Sequence, residues 1–313
     1  LLQDVGAYPS TGAAQPYHAA LAFSGPYGIA TGVFAGVGVV THLPPVEASS
    51  AGGSAEATIA LERAVDLAAR GLGLTPVGLR RHNLVEAHGP AGADLLDRAA
   101  ALEADASDGR VDGTSAPDGP TSVGWACPPD VDSSLNRTDV LPGAAYAVEV
   151  RVPRDGGAVN IERVIAVHRA DPSLDPDDVR EAVRSGIAIG AAMVRVDGVR
   201  HDAFGQLIDG PNPPAGPDHP NAGPAAVAIA GPDTVAVAEV VIDLVPASSG
   251  RSVADSVADS VADSATRSAL DRIRDIAIAG TAAALVNAIA AAVAPDLATL
   301  ELPLRPEQDR FWS

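Results

Sequence analysis

Lysine is absent from this chain of 313 residues, so all 21 of its basic residues are arginine. Cysteine occurs once, at Cys127. A single thiol excludes any intrachain disulfide and any iron–sulfur or zinc site built from cysteines of this chain. Aromatic residues make up only 3%. The core must therefore come from Ala, Val, Leu and Ile, which bury less area per side chain. The seven histidines show no HxxxH or HxH spacing, and no metal site is expected from them. Ser10, Ser24 and Ser49 lack a GxSxG setting, which leaves a serine hydrolase without support.

What is present is acidic. The net charge of −19 opposes nucleic-acid binding, which needs basic stripes. The arginine-only, acidic balance fits either a high-salt cytoplasm or a GC-rich coding sequence. Leu1-Leu2-Gln3-Asp4 is neither a basic leader nor a start methionine, so the reading is cytoplasmic and fragment-like. Ile276 to Ala294 is uncharged and long enough to raise the question of a membrane span. It is mostly alanine and holds Gly280, Thr281 and Asn287, so a buried helix is the preferred reading and no membrane is expected.

The patterning predicts an α+β fold. Asp4 to Ser10 and Gly28 to His42 read as strands, the second Gly- and Val-rich and suited to close packing on both faces. Ser54 is expected to cap a helix with Ile59, Leu61, Val65 and Leu67 as its apolar stripe, stopping near Gly71. Thr75-Pro76 starts a short second helix, and His82 near its end would serve the helix dipole. Residues 87–120 read as an acidic linker with one helix around Leu95, Leu96 and Leu102. AYAVEVRV and VNIERVIAV form a hairpin through Pro153 to Gly157. Asp175 and Pro176 open a helix with Val179, Val183 and Ile187 inward. The acids at Asp171, Asp175, Asp177 and Asp178 are then capping residues, since the Gly and terminal Glu of a calcium loop are missing. Thr234 to Val245 is a strand. SVAD occurs three times from Ser252 to Asp263, and residues 252–271 read as a low-complexity insert. Thr281 would cap a last helix with Leu285, Val286, Ile289 and Val293 inward and Pro295 as its end.

One stretch carries more. Thr41 to Arg63 reads THLPPVEASSAGGSAEATIALER. It resembles the TNTPPxGAYRGxGRPEATFALER run of the molybdopterin-binding large subunit of the xanthine dehydrogenase and aldehyde oxidase family. Pro44, Pro45, Ala48, Gly53, Glu56, Ala57, Thr58, Ala60, Leu61, Glu62 and Arg63 fall in register. Further segments follow in the family's order. GAYPSTG at Gly6 to Gly12, GPYGI at Gly25 to Ile29, TSVGWAC at Thr121 to Cys127 and the YAVEVRV hairpin up to PSLDP are similar to its motifs. So are EAVRSGIAIGAAM at Glu181 to Met193, AIAGTAAALVNAIA at Ala277 to Ala290 and LPLRPEQ at Leu302 to Gln308.

The resemblance implies two mixed α/β-sheet subdomains: 1–86 as the remainder of a first molybdopterin-binding domain, and 121–313 as a shortened second one. It implies a molybdenum hydroxylase subunit that works with iron–sulfur and FAD subunits, carrying neither of those groups itself. Gly52, Gly53, Gly186, Gly280 and Thr281 would be its cofactor contacts. As isolated residues, these glycines more often serve turns and packing. The family's reactive side chains are replaced. Its general-base Glu is Ile278, its substrate-orienting Arg is Ser50, and its Gln near the metal is Ile189. A general base contributes about 10²–10⁴-fold in rate, and isoleucine cannot act as one. Between Cys127 and Ala144 the family's long cofactor-gripping segment is also missing. Two readings follow: an impaired molybdopterin-binding subunit, or a non-catalytic pseudoenzyme or subunit-interaction remnant of that family.

Overall fold

The computed structural model describes residues 1–8, 10–29, 31–45, 51–84, 91–107, 119–131, 141–153, 159–195, 200–201, 207–209, 237–246 and 259–293. The elements in chain order begin with β1 (Leu2–Gly6), a 3-10 turn (Thr11–Ala14), α1 (Gln15–Ala22) and β2 (Val37–Val40). Next come α2 (Ser54–Gly71), α3 (Pro76–Asn83) and α4 (Ala91–Ser107). The second part holds β3 (Thr121–Ala126), β4 (Pro129–Asp130), β5 (Leu141–Pro142), β6 (Ala144–Arg151), β7 (Asn160–Ala170) and α5 (Pro176–Arg195). It ends with β8 (Arg200–His201), β9 (Leu207–Asp209), β10 (Val240–Pro246) and α6 (Asp259–Val293). The mixture of helices and mixed sheet is the expected α+β class.

The main sheet has four strands in the order β10-β7-β6-β3. β6 pairs antiparallel with both β3 and β7, and β10 joins parallel to β7. Because successive side chains alternate, each strand serves two layers. Ala144, Tyr146, Val148 and Val150 meet α5 and α6 on one face. Ala145, Ala147, Ile165 and Val167 meet Leu95, Leu96 and Ala99 of α4 on the other. The hairpin expected from AYAVEVRV and VNIERVIAV is therefore buried on both sides along most of its length.

α6 is the organising element. It packs along α5, crosses α2 and presses on β3 and β6. Small residues make this possible: a Cβ on Gly124 of β3 would lie 2.1 Å from the Ala284 carbonyl oxygen. Arg267–Val293 is long and apolar enough to cross a membrane, yet 83% of its most apolar window is buried inside the protein. That agrees with the buried-helix reading of Ile276 to Ala294.

Several expectations need correction. The first strand is Leu2–Gly6 rather than Asp4 to Ser10. The Gly28 to His42 stretch forms a strand only over Val37–Val40, with every residue exposed rather than packed on both faces. Its partner β1 pairs with it along one edge, and no other described strand joins the pair. Gly53, at φ 88°, occupies the cap of α2, and Ser54 is its first helical residue. Thr281 does not cap a helix: it lies inside α6, which runs unbroken through Gly280. Helix propensity at one Gly-Thr pair is overridden by packing along the whole buried length.

Other expectations hold. Thr75 Oγ1 accepts from the Gly78 N–H at 3.0 Å and caps α3. Asp175 Oδ1 accepts from the Asp177 N–H at 2.8 Å ahead of α5, whose Val179, Val183 and Ile187 are buried. The first part of the SVAD repeat, 252–258, lies outside the described residues, as does LPLRPEQ at 302–308. From Asp259 onward the repeat is helical and continuous with the core segment of α6.

Candidate functional site

The polar centre of the molecule lies between α2, α3, β3 and α6. The apolar stripe expected on α2 is only half-buried. The face it buries carries Thr58, Glu62 and Asp66, with Ala55 and Ala69. Two acids one turn apart on a buried face repel unless a cation joins them. Arg80 of α3 is that cation, and it is fully buried. Its Nε donates to Glu62 Oε2 at 2.8 Å and its Nη1 to Asp66 Oδ1 at 2.6 Å. Nη1 also reaches the Pro76 carbonyl, and Nη2 reaches the carbonyls of Glu62 and Trp125. All of the guanidinium's N–H donors are thereby used.

Glu62 is the hub. Its Oε1 accepts from the Tyr27 hydroxyl at 2.8 Å and from the Cys127 N–H at 3.0 Å. Asn287 of α6 donates to the Glu62 and Trp125 carbonyls at 3.2 and 3.1 Å. Burial opposes the Arg80 charge, but Glu62, Tyr27 and Asp66 outweigh it and hold the guanidinium protonated. Burial, and then the Glu62 charge, push the Tyr27 hydroxyl and the Cys127 thiol well above their ordinary ranges. Cys127 is thus an inert, buried thiol, and the network ties layers together rather than exposing a reactive group. Sequence reasoning missed Arg80 and Asn287. The available signal was Glu62 and Asp66 at i, i+4 in line with Thr58, which calls for a buried cation.

The residues matched to the family's reactive positions lie elsewhere. Ile278 is 1% exposed and sits in a small apolar cluster with Ala51, Ala55 and Ala279. Ile189 and Met193 of α5 pack against that cluster. The structure therefore brings Ile278 and Ile189 together, beside the turn that opens α2. Ser50 and Ala48 lie outside the described residues.

The expected cofactor contacts are mostly walled in by protein. A Cβ on Gly53 would lie 2.1 Å from the Gln15 carbonyl oxygen, so this glycine lets α1 approach. A Cβ on Gly186 would lie 2.5 Å from the Arg274 carbonyl oxygen, and one on Gly280 2.4 Å from the Tyr146 ring. Thr281 is fully buried, and its neighbour across the helix pair is Gly190 of α5. Gly52 alone opens onto space, a cleft of about 340 Å³ between α1, α2 and α6. Asp271 and Asp275 line that cleft together with Arg272 and His18. Where the family's longer segment would lie, β4 and β5 pair directly, and the Gly143 N–H donates to the Pro128 carbonyl at 3.0 Å. The described residues do not fit a reactive molybdopterin centre, and no catalytic step is derived through one. Among them, no group of three His, Cys, Asp or Glu is placed to hold a metal ion.

Tyr146 and His168 form a second buried polar pair, hydroxyl to Nε2, on the α6 side of the sheet. Burial lowers the His168 pKa from 6.5 to about 3, so the ring is neutral.

Comparison with known proteins agrees with this architecture. Residues 1–84 match the molybdopterin cofactor-binding domain family. No curated protein matches the chain. Among solved structures, quinoline 2-oxidoreductase from Pseudomonas putida superposes with a TM-score of 0.69 at 14% identity, covering 98% of this chain and 58% of that one. Aldehyde oxidoreductase from Desulfovibrio desulfuricans gives 0.60 at 12% identity, covering 93% and 44%. Carbon monoxide dehydrogenase from Oligotropha carboxidovorans gives 0.59 at 10% identity, covering 93% and 55%. The chain thus spans between 44% and 58% of the length of these solved structures. Residues 1–84 are thus similar to the molybdopterin cofactor-binding domain family, and the fold of the chain is similar to that of these solved oxidoreductases.

Proposed function

We propose that this chain keeps the scaffold of a molybdopterin-binding subunit and has no hydroxylase chemistry of its own. One observation carries the reading. Ile278, at the family's base position, is buried in an apolar cluster against the turn that opens α2, with the half-buried Ile189 packed against it. The resemblance implies a general base at that position, and neither side chain accepts a proton at any pH. The glycines expected to cradle the cofactor instead admit neighbouring backbone and side chains.

The competing reading is an impaired but cofactor-loaded oxidoreductase subunit, assembled with iron–sulfur and FAD subunits in the cytoplasm. The match of residues 1–84 to the molybdopterin cofactor-binding domain favours it. Assays of N-heterocycle and aldehyde oxidation with an artificial electron acceptor separate the two. The chain, purified from a host that makes the cofactor, should show no turnover above background. Saturable turnover that tracks the protein would overturn the proposal.

A further inference from the structure

A strand at a sheet edge is a template for pairing, and folded chains blunt it with charge, proline or cover. Two edges of this molecule are blunted. On β3, Trp125 and Cys127 turn their backbone groups away from β6, and side chains meet them there. Arg80 and Asn287 donate to the Trp125 carbonyl, and Glu62 accepts from the Cys127 N–H. At the other end of that sheet, β10 carries Asp243, paired with Arg98, and ends on Pro246.

β2 has no such device. Residues 28–41 hold no charged side chain and no proline, in a chain with 40 acidic and 21 basic residues. β1 and β2 pair in parallel, Leu2 beside Val37 and Asp4 beside Val39. The Val37 N–H reaches the Leu1 carbonyl at 2.9 Å, and the Thr41 N–H reaches the Gly6 carbonyl at 3.1 Å. Backbone groups of successive residues point to opposite edges of a strand. Gly38 and Val40 therefore direct theirs outwards, where no described strand takes them. One face of the ribbon is covered, with Val5 buried and Gln3 donating to the Gly12 carbonyl. The other is bare: Leu2 is 75% exposed, Val37 52% and Val39 40%.

We propose that β2 pairs with β2 of a second copy of this chain, antiparallel about a two-fold axis at Val39. Gly38 of each copy then faces Val40 of the other, and the two exchange both backbone hydrogen bonds. The two Val39 side chains meet as the closer, non-hydrogen-bonded pair. The ribbon becomes a four-stranded sheet with Leu2, Val37 and Val39 of both copies on one apolar face. Two strands alone are marginal, whereas three or more with such a face are stable. A second copy fits because the edge is its own complement, as a two-fold interface requires. The uncharged strip also lets two chains of net charge −19 approach with least repulsion. The inference goes beyond the reading of the scaffold and does not depend on whether a cofactor is retained.

Sedimentation velocity of the full chain at micromolar concentration is the test, and a dimer is expected. Raising the ionic strength should tighten it, because repulsion between the acidic copies is screened. Val39→Lys sets two cations against each other at the axis and should weaken the dimer at least about tenfold. Leu72→Lys, at an exposed position beyond the end of α2, adds the same charge elsewhere and should change dimerisation less than about twofold. Val39→Cys should form an intermolecular disulfide under mild oxidation, while the buried Cys127 of the parent chain should form none; this decides the matter should Val39→Lys fail to fold. A monomeric parent chain, a dimer that weakens with salt, a dimer untouched by Val39→Lys, or no cross-link with Val39→Cys would each overturn the proposal.

Discussion

Arg80 and Glu62, on different helices, form an ion pair at 2.8 Å in which neither side chain is exposed. Every other donor of the guanidinium also has an acceptor, and Glu62 in turn binds Tyr27 and Cys127. This junction joins the helices of residues 54–83 to β3, and Asn287 extends it to α6. Arg80→Met leaves two carboxylates buried without a cation. Breaking such a pair from one side costs about 3–5 kcal/mol. Urea denaturation should read a loss of that size, and a loss below about 1 kcal/mol would contradict the role given to Arg80.

His168 should make stability depend on acid. Its folded pKa is lowered to about 3 by burial, against 6.5 for an exposed imidazole. Its contribution is fully present above about pH 6.5. It is lost as pH falls from there towards 3, because the unfolded chain takes up the proton first. Chemical denaturation at pH 7.5 and pH 5 should show a smaller difference for His168→Gln than for the parent chain. Equal differences would mean that the ring is not held neutral.

Close packing of α6 on β3 gives a paired prediction. A Cβ on Gly124 would meet the backbone at 2.1 Å and 2.2 Å, at Ala284 and Ala288. Gly124→Ala should cost at least about 2 kcal/mol, since backbone cannot move aside as a side chain can. Gly71 ends α2 with nothing within 4 Å of the position a Cβ would take. Gly71→Ala should be neutral or add up to about 1 kcal/mol by helix propensity. Thermal melts of the two variants would test both signs at once.

Much of the fold was legible in the residues. The starts of α3 and α5, with Pro at the first helical position behind Thr75 and Asp175, are local signals that tertiary packing did not disturb. The β6–β7 hairpin followed from its run of Val, Ile and Ala. What could not be read was set at long range. The buried face of α2 is polar because Arg80 lies across from it, and no local pattern shows that partner. α6 passes through Gly280 and Thr281 because the Tyr146 ring fills the space that a side chain at 280 would take. By resemblance alone the glycines at 53, 186 and 280 are cofactor contacts, while as isolated residues in sequence they read as turn or packing positions. In space they let helices and rings come close. The exposure of Val37–Val40 was missed because a Gly- and Val-rich run looks the same whether or not another layer covers it.

Ile278→Glu tests the apolar cluster. A carboxyl placed at a site 1% exposed enters an apolar cluster with Ala51, Ala55 and Ala279, beside Ile189. Its pKa should rise by several units, which at neutral pH costs about 3–4 kcal/mol. A melt well below that of the parent chain is expected, with no gain of oxidase activity. Activity restored by this single change would sink the non-catalytic reading.

The most direct test of the central claim is the molybdenum and pterin content of the chain, purified from a host that makes the cofactor. A scaffold whose reactive positions are apolar and whose glycines are filled by neighbouring chain should carry no more molybdenum than an unrelated control protein. Molybdenum and pterin in stoichiometric amount would contradict the account and show that the scaffold still holds its cofactor.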